Sequence, residues 1–256
     1  MHLLIIDAMN LIRRMYAAMP DHDNKEEACM NRCINTIADN AARLEATHCA
    51  IIFEKKEPTW RHAVWPDYKL GRSPMPEALE KSLELFKKGF KTAGFFCFEF
   101  QHWEADDVIA SLAKKSAYVG LSSTIISTDK GFFQLVDQRI QVLNHFDRQL
   151  FNEEEVRARY SIDATQLNDL LALTGDTTNH LPGVKGIGIK TATDLLTQYQ
   201  DLDTLLIQLP ELELKPKLKE ALETQWRSAL LTRKLAKLVT DLPLGINLND
   251  MRLSGM

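Results

Sequence analysis

Short apolar runs punctuate the first part of the chain. Residues 3–6 (LLII), 50–53 (AIIF), 124–127 (TIIS) and 140–143 (IQVL) are brief and rich in β-branched side chains, the pattern of strands buried on both faces. Between them apolar residues recur at helical spacing. One set is Ile34, Ile37, Ala41 and Leu44, a second is Leu79, Leu83, Phe86 and Phe90, and a third is Val108, Ile109 and Leu112. Strand–helix–strand alternation predicts an open, largely parallel α/β sheet covered by helices. From residue 153 the strand signal stops. Helical patterns follow at 153–160, 164–174, 190–199, 203–209 and 215–237, and the tail 240–256 is weakly patterned. Residues 1–152 are therefore expected to form an α/β core and 153–256 a helical subdomain packed on it, with no Ser/Gly-rich linker between them. The stretch 68–76 (YKLGRSPMP) reads as an exposed, mobile connection with a basic bias.

Composition narrows the possible functions. The 256 residues carry 31 Lys+Arg against 35 Asp+Glu, a net charge of −4, which argues against indiscriminate coating of nucleic acid but leaves room for a local basic groove. No run of eighteen apolar residues suits a membrane span, and the N-terminal LLII is too short for a signal-peptide core. Cys29, Cys33, Cys49 and Cys97 show neither zinc-finger spacing nor a disulfide framework, so a reduced, cytoplasmic setting is expected.

The acids carry the chemistry. Asp7, Glu54 and Asp129 each follow a predicted strand, where open α/β sheets place their ligands. Glu104, Asp106 and Asp107 open a helix in WEADDVIASLAKK. Alone, that last group is explained by the helix dipole. Gathered on one rim, the six carboxylates would raise one another's pKa values unless a cation neutralised them. All-oxygen ligation suits Mg²⁺, with Mn²⁺ able to substitute, and metal-assisted phosphodiester hydrolysis is the leading chemistry.

A second motif is LPGVKGIGIKTATDLL, residues 181–196. Gly183, Gly186 and Gly188 allow a tight hairpin that runs straight into a helix, whose N-terminal amides suit a phosphate. Lys185 and Lys190 add a sequence-independent attraction that salt weakens. A P-loop is excluded because Ile189 occupies the lysine position and no strand precedes. The preceding helix should end near Gly175, leaving the carbonyls around Leu171 and Ala172 without intrahelical partners. A monovalent cation, water or a capping side chain could satisfy them equally well.

Taken together, these residues resemble the 5′-nuclease (flap endonuclease) family, which includes the N-terminal nuclease domains of bacterial DNA polymerase I and the phage 5′-exonucleases. The resemblance runs from Met1 to about Lys237, and since no polymerase region follows, a stand-alone, monomeric bacterial member is expected. It implies a twisted, mostly parallel central sheet with flanking helices, a helical arch near residues 68–93, and a helix–three-turn–helix DNA-binding element. By this resemblance Asp7, Glu54, Glu104, Asp106, Asp107, Asp129 and Asp176 are metal residues, with Glu54 standing where the family has Asp. Lys69, Arg72, Asp106 and Asp107 take catalytic roles, Lys69 and Arg72 at the foot of the arch, and Arg61 lies in a phosphate-handling stretch. K⁺ is implied at the carbonyls of Leu171, Ala172, Pro182, Val184 and Ile187, and DNA contact along Val184, Lys185, Gly186, Ile187, Gly188, Ile189 and Lys190.

Two departures matter. Gly131 and Asn179 stand where the family has acids, so one well-bound divalent ion is expected and a second only weakly, or with DNA phosphate. The expected activity is a structure-selective DNA 5′-nuclease acting on 5′ flaps or free 5′ ends, with no membrane partner. The alternative is a catalytically weak or inactive protein of the same fold that binds DNA structures, and a third is an unrelated acidic-site phosphatase, which would need neither the hairpin nor the basic loop. Lys87, Lys88 and Lys91 read as a solvated helix face, Trp60 and Trp103 as packing residues, and His102 and His180 receive no role.

Overall fold

The computed structural model describes residues 1–253. Its strands are β1 (His2–Asp7), β2 (His48–Phe53), β3 (Phe96–Glu99), β4 (Ser122–Ile126), β5 (Ile140–Asn144) and β6 (Gln149–Phe151). They form one six-stranded sheet in the order β3-β2-β1-β4-β5-β6, parallel except for β6. β1 is central and its residues are apolar on both faces because both faces are covered. Leu3 and Ile5 enter one core cluster and Leu4 and Ile6 the other.

α1 (Ala8–Ala17), α2 (Lys25–Arg43) and α5 (Leu83–Thr92) cover the Leu4/Ile6 face. α6 (Ala105–Tyr118) covers the other, joined there by α7 (Glu153–Tyr160), α8 (Leu167–Thr174), α9 (Ile189–Tyr199), α10 (Leu202–Gln208) and α11 (Pro216–Ala236). The short α3 (Trp60–Val64) and α4 (Glu77–Lys81) lie between β2 and α5. Register decides where the chemistry falls. Asp7 pairs with Ile52 and Ile6 with Ile126, so β1, β2 and β4 end together and Asp7, Glu54 and Asp129 emerge on one rim.

The structure departs from the sequence expectations in four places. β3 is a half-buried edge strand and β6 an edge strand of three residues running from exposed Gln149 to buried Phe151, both too short to stand out. α1 follows β1 with no intervening turn, its N-cap being Asp7 itself. The helical pattern over 79–90 divides into α4 and α5 at Ser82, whose amide bonds back to the carbonyls of Ala78 and Leu79. Leu79, Phe86 and Phe90 are fully buried against the sheet, so much of the range expected to arch is body. Within it only residues 69–78 form a largely exposed segment. Among the described residues no helix is long and apolar enough to cross a membrane.

Candidate active site

Each carboxylate on the rim is fixed by its own element. Asp7 caps α1, accepting from the Asn10 amide at 3.1 Å, and takes the Ser127 hydroxyl at 2.8 Å. Asn10 in turn bridges to Thr128, its Nδ2 donating to Oγ1 at 2.9 Å while its Oδ1 accepts from the Thr128 amide at 3.1 Å. The start of α1 is thereby tied to the loop after β4. Asp129 opens the 3-10 turn Lys130–Leu135 and accepts from the Gly131 amide at 2.7 Å. A side chain at Gly131 would place its Cβ 3.1 Å from Asp129 Oδ1, so the glycine lets the carboxylate fold over its own backbone.

The electrostatics show an uncompensated cluster. Burial, with Asp129 and Glu54 adding repulsion, pushes Asp7 up to about 6 despite its hydrogen bonds to Asn10 and Ser127. Asp106 is raised well above the ordinary carboxylate range by burial and by Asp129, with Asp7 and Glu104 contributing and Lys69 opposing. Glu104 behaves differently. Burial alone would raise it, but Lys69 and Arg61 hold it below the usual value. Its oxygens accept from Thr59 Oγ1 at 3.1 Å and the Tyr68 hydroxyl at 3.0 Å, and Lys69 Nζ lies 3.1 Å away. Lys69 also reaches Glu54 at 3.4 Å, so its ammonium occupies a place among the acids where a cation is favoured.

Asp107 turns away from this rim, contrary to expectation, and draws with it Arg61, whose Nη1 stays 3.4 Å from Glu104 at the edge of the rim. Arg61 Nη1 and Nη2 donate to the two Asp107 oxygens at 2.6 and 2.7 Å, and both side chains are buried. Arg61 Nε donates to the Leu235 carbonyl at 2.8 Å, and Asp107 accepts from the Val239 amide at 2.9 Å. Both Asp107 oxygens are thus engaged inside the core and point away from the other acids, and Arg61 is committed to Asp107 and two backbone carbonyls. The pair fastens α3 and α6 to the end of α11.

On the far side of the rim Asp176 and Asn179 come forward on the loop after α8. Glu104, Asp106, Asp129, Asp176 and Asn179 line a cavity of about 30 Å³, room for one water or ion. Asn179 does not offer a free oxygen: its Oδ1 accepts from Arg72 at 2.6 Å, and its Nδ2 donates to Asp176. Beside the rim a cleft of about 500 Å³ is walled by Arg13, Lys55, Lys56, Lys69 and Arg72 together with Glu54, Glu57 and Glu80, and Lys56 pairs with Glu80 at 2.7 Å. Lys87 is paired with Glu84 at 2.9 Å and Glu99 at 2.8 Å.

The glycine hairpin packs against the end of α8. Gly183 at φ +61 lies so close that an added Cβ would come 2.2 Å from the Gly175 nitrogen. The Asp176 amide turns to the Leu181 carbonyl at 3.0 Å instead of continuing the helix to Ala172, which frees the Ala172 carbonyl. The Leu171 carbonyl already accepts from Gly175 and that of Val184 from Ile187. Three hairpin amides expected to face DNA are also engaged. Val184 donates to the Leu173 carbonyl at 2.9 Å, Ile187 to Val184 at 3.1 Å, and Lys185 to Gln225 Oε1 at 2.9 Å. Val184 and Ile187 have buried side chains, leaving Lys185, Gly186, Gly188, Ile189 and Lys190 exposed.

The sequence profile described as 5′-3′ exonuclease, N-terminal resolvase-like domain, matches residues 2–161, and that described as 5′-3′ exonuclease, C-terminal SAM fold, matches 162–256. The chain belongs to the 5′-3′ exonuclease family. It is 39% identical to the flap endonuclease Xni of Colwellia psychrerythraea over 99% of this chain and 92% of that one. Identity to the flap endonuclease Xni of Shewanella sp. (strain MR-4) is 42%, over 98% of this chain and 95% of its relative. Among solved structures, T5 5′-exonuclease with bound zinc superposes with a TM-score of 0.80 at 23% identity, covering 93% of this chain and 90% of that one. A complex of the bacteriophage T5 flap endonuclease with DNA and metal ions gives 0.79, also at 23%, over 93% and 90%. The catalytic core of Rad2 in complex with DNA gives 0.61 at 14%, over 91% and 77%. At these identities the structural likenesses carry the fold, and membership of the 5′-3′ exonuclease family makes the chain a structure-selective DNA nuclease.

Proposed function

We propose that this nuclease cuts 5′ flaps near their junction with duplex DNA, using a divalent ion, Mg²⁺ by the hardness of its donors, at the rim. The observation that carries the reading is the convergence of Asp7, Glu54, Glu104, Asp106 and Asp129 beside Lys69, with Asp7 and Asp106 held at raised pKa by burial and by the neighbouring carboxylates, Asp129 above all. The donor set fits a hard cation: it is all oxygen and carries charge in excess of what Lys69 balances. Mg²⁺ keeps several waters and takes substrate oxygens, so it needs only one or two carboxylates from the protein. A bound ion there would supply positive charge at the scissile phosphate and make water a stronger nucleophile.

The protein's own groups do the rest. Asp7 and Asp106, with Glu54 and Asp129, would hold the ion. Lys69 is poised to exchange Glu54 and Glu104 for a phosphate oxygen, and Arg72, which lines the adjoining cleft with it, to meet the same group. Glu54 and Glu104, with Asp106, keep Lys69 charged against its burial, and the Tyr68 hydroxyl fixes Glu104. The hairpin stretch 185–190 would anchor the duplex through its phosphates, and the carbonyls of Leu171, Ala172, Pro182, Val184 and Ile187 would hold K⁺ beside it. Metal removal tests the reading. Chelator-treated protein should retain DNA binding, lose cleavage, and regain it on adding Mg²⁺; cleavage persisting in chelator would defeat it.

A further inference from the structure

Residues 65–72, at the base of the exposed 69–78 segment, are sewn to the loop after α8. The Lys69 amide donates to the Asn179 carbonyl at 3.0 Å, and Trp65 Nε1 to the His180 carbonyl at 3.2 Å. Arg72 Nε donates to the Thr178 carbonyl at 3.1 Å and its Nη2 to Asn179 Oδ1 at 2.6 Å. Asn179 Nδ2 completes the chain by donating to Asp176, whose other oxygen accepts from the Thr178 amide at 2.9 Å. Beneath these bonds Tyr68, Leu181 and Leu235 form a small apolar cluster of their own. Lys69 at φ 60 and His180 at φ 57 both hold left-handed backbone, a conformation that non-glycine residues keep only where neighbours impose it.

The group between Asp176 and Arg72 must donate to a carboxylate with one atom and accept from a guanidinium with another. An amide does both. A carboxylate in its place would accept from Arg72 but face Asp176 with a like charge, and would need a cation between the two. We propose that Asn179 is a positioning residue, a metal-independent latch that fixes Arg72 and the base of the 69–78 segment to the helical subdomain. That Arg72 then acts on phosphate rests on the function proposed above; the latch itself does not.

Proteolysis separates the two. Proteinase K cleavage within 69–78, mapped by mass spectrometry, should be slow in the wild-type protein and equally slow in chelator and in Mg²⁺. Losing hydrogen bonds to a charged group should speed it about tenfold in Asn179→Ala and in Arg72→Ala, with the double variant no faster than either. Asn179→Asp, which keeps the side chain's shape, should be cut rapidly in chelator and return to the wild-type rate in Mg²⁺. Cooperative melting with unchanged far-UV circular dichroism would show that opening is local. Wild-type protection that needs Mg²⁺, an Asn179→Ala rate equal to wild type, or an Asn179→Asp rate indifferent to Mg²⁺ would each overturn the latch. Single-turnover cleavage by Asn179→Ala should fall about tenfold at unchanged DNA affinity. If proteolysis behaves as stated and cleavage does not fall, the latch stands and Arg72's part in the chemistry is refuted.

Discussion

Asp106 and Asp107 are neighbours in one motif, yet the structure gives them opposite effects on stability. Asp107 satisfies both Arg61 nitrogens, at 2.6 and 2.7 Å, and the Val239 amide at 2.9 Å, wholly inside the core. Asp107→Asn removes its charge and turns an NH₂ toward the guanidinium, leaving Arg61 with only Glu104 at 3.4 Å as counterion. Breaking a buried pair from one side costs about 3–5 kcal/mol. In a chain of this size that lowers the melting temperature by roughly 10 °C. Asp106→Asn removes a carboxylate that burial and Asp129 already oppose, so the metal-free protein should lose less than about 1 kcal/mol or gain stability. The assay is urea unfolding of the metal-free variants at pH 8, followed by tryptophan fluorescence and far-UV circular dichroism, with equal m-values required for the comparison. Equal losses in the two variants, or a loss under about 1 kcal/mol for Asp107→Asn, would refute the division of labour.

Three further outcomes follow from the geometry. Asp7 binds its proton more tightly folded than unfolded, with a pKa of about 6 against 3.8, so its contribution to metal-free stability is full below about pH 4 and lost as pH rises through 6. Added Mg²⁺ should therefore raise the melting temperature strongly at pH 8 and hardly at pH 5; an equal rise at both would contradict the assignment. Gly183→Ala should unfold the hairpin, because its Cβ would meet Gly175 at 2.2 Å, whereas Gly186→Ala, at φ +93 in open space, should cost only about 1 kcal/mol. Replacing both Lys185 and Lys190 by Ala should weaken DNA binding and flatten its salt dependence by about two phosphate contacts, and an unchanged slope would remove the hairpin from the interface.

What the sequence made legible was whatever is local. The buried strands 3–6 and 124–127 announce themselves because both faces of a central parallel strand are apolar, and the acids that follow them land on one rim because the register brings those strand ends level. Phe96–Glu99 was invisible for the complementary reason, since an edge strand with half-buried residues has neither alternation nor a continuous apolar run. The site's partners were less legible than its acids. Arg61 and Asp107 lie 46 residues apart, and nothing in the motif containing Asp107 distinguishes a core anchor from a rim ligand. Asn179 reads in sequence as the loss of an acid. Only its position between Arg72 and Asp176 gives the amide work that a carboxylate could do only with a cation beside it. Asn10, Ser127 and Thr128 carried no signal beyond their polarity, because their role depends on two strand ends meeting.

The central claim is that the surviving rim carboxylates cut DNA at a flap. An end-labelled 5′-flap duplex, incubated in Mg²⁺ with K⁺ present, should be cleaved near the junction by the wild-type protein and left whole by Asp106→Asn, with both retarding the DNA equally. Retardation by both and cleavage by neither would make this a DNA-structure-binding protein on a nuclease fold, and cleavage by both would place the chemistry elsewhere.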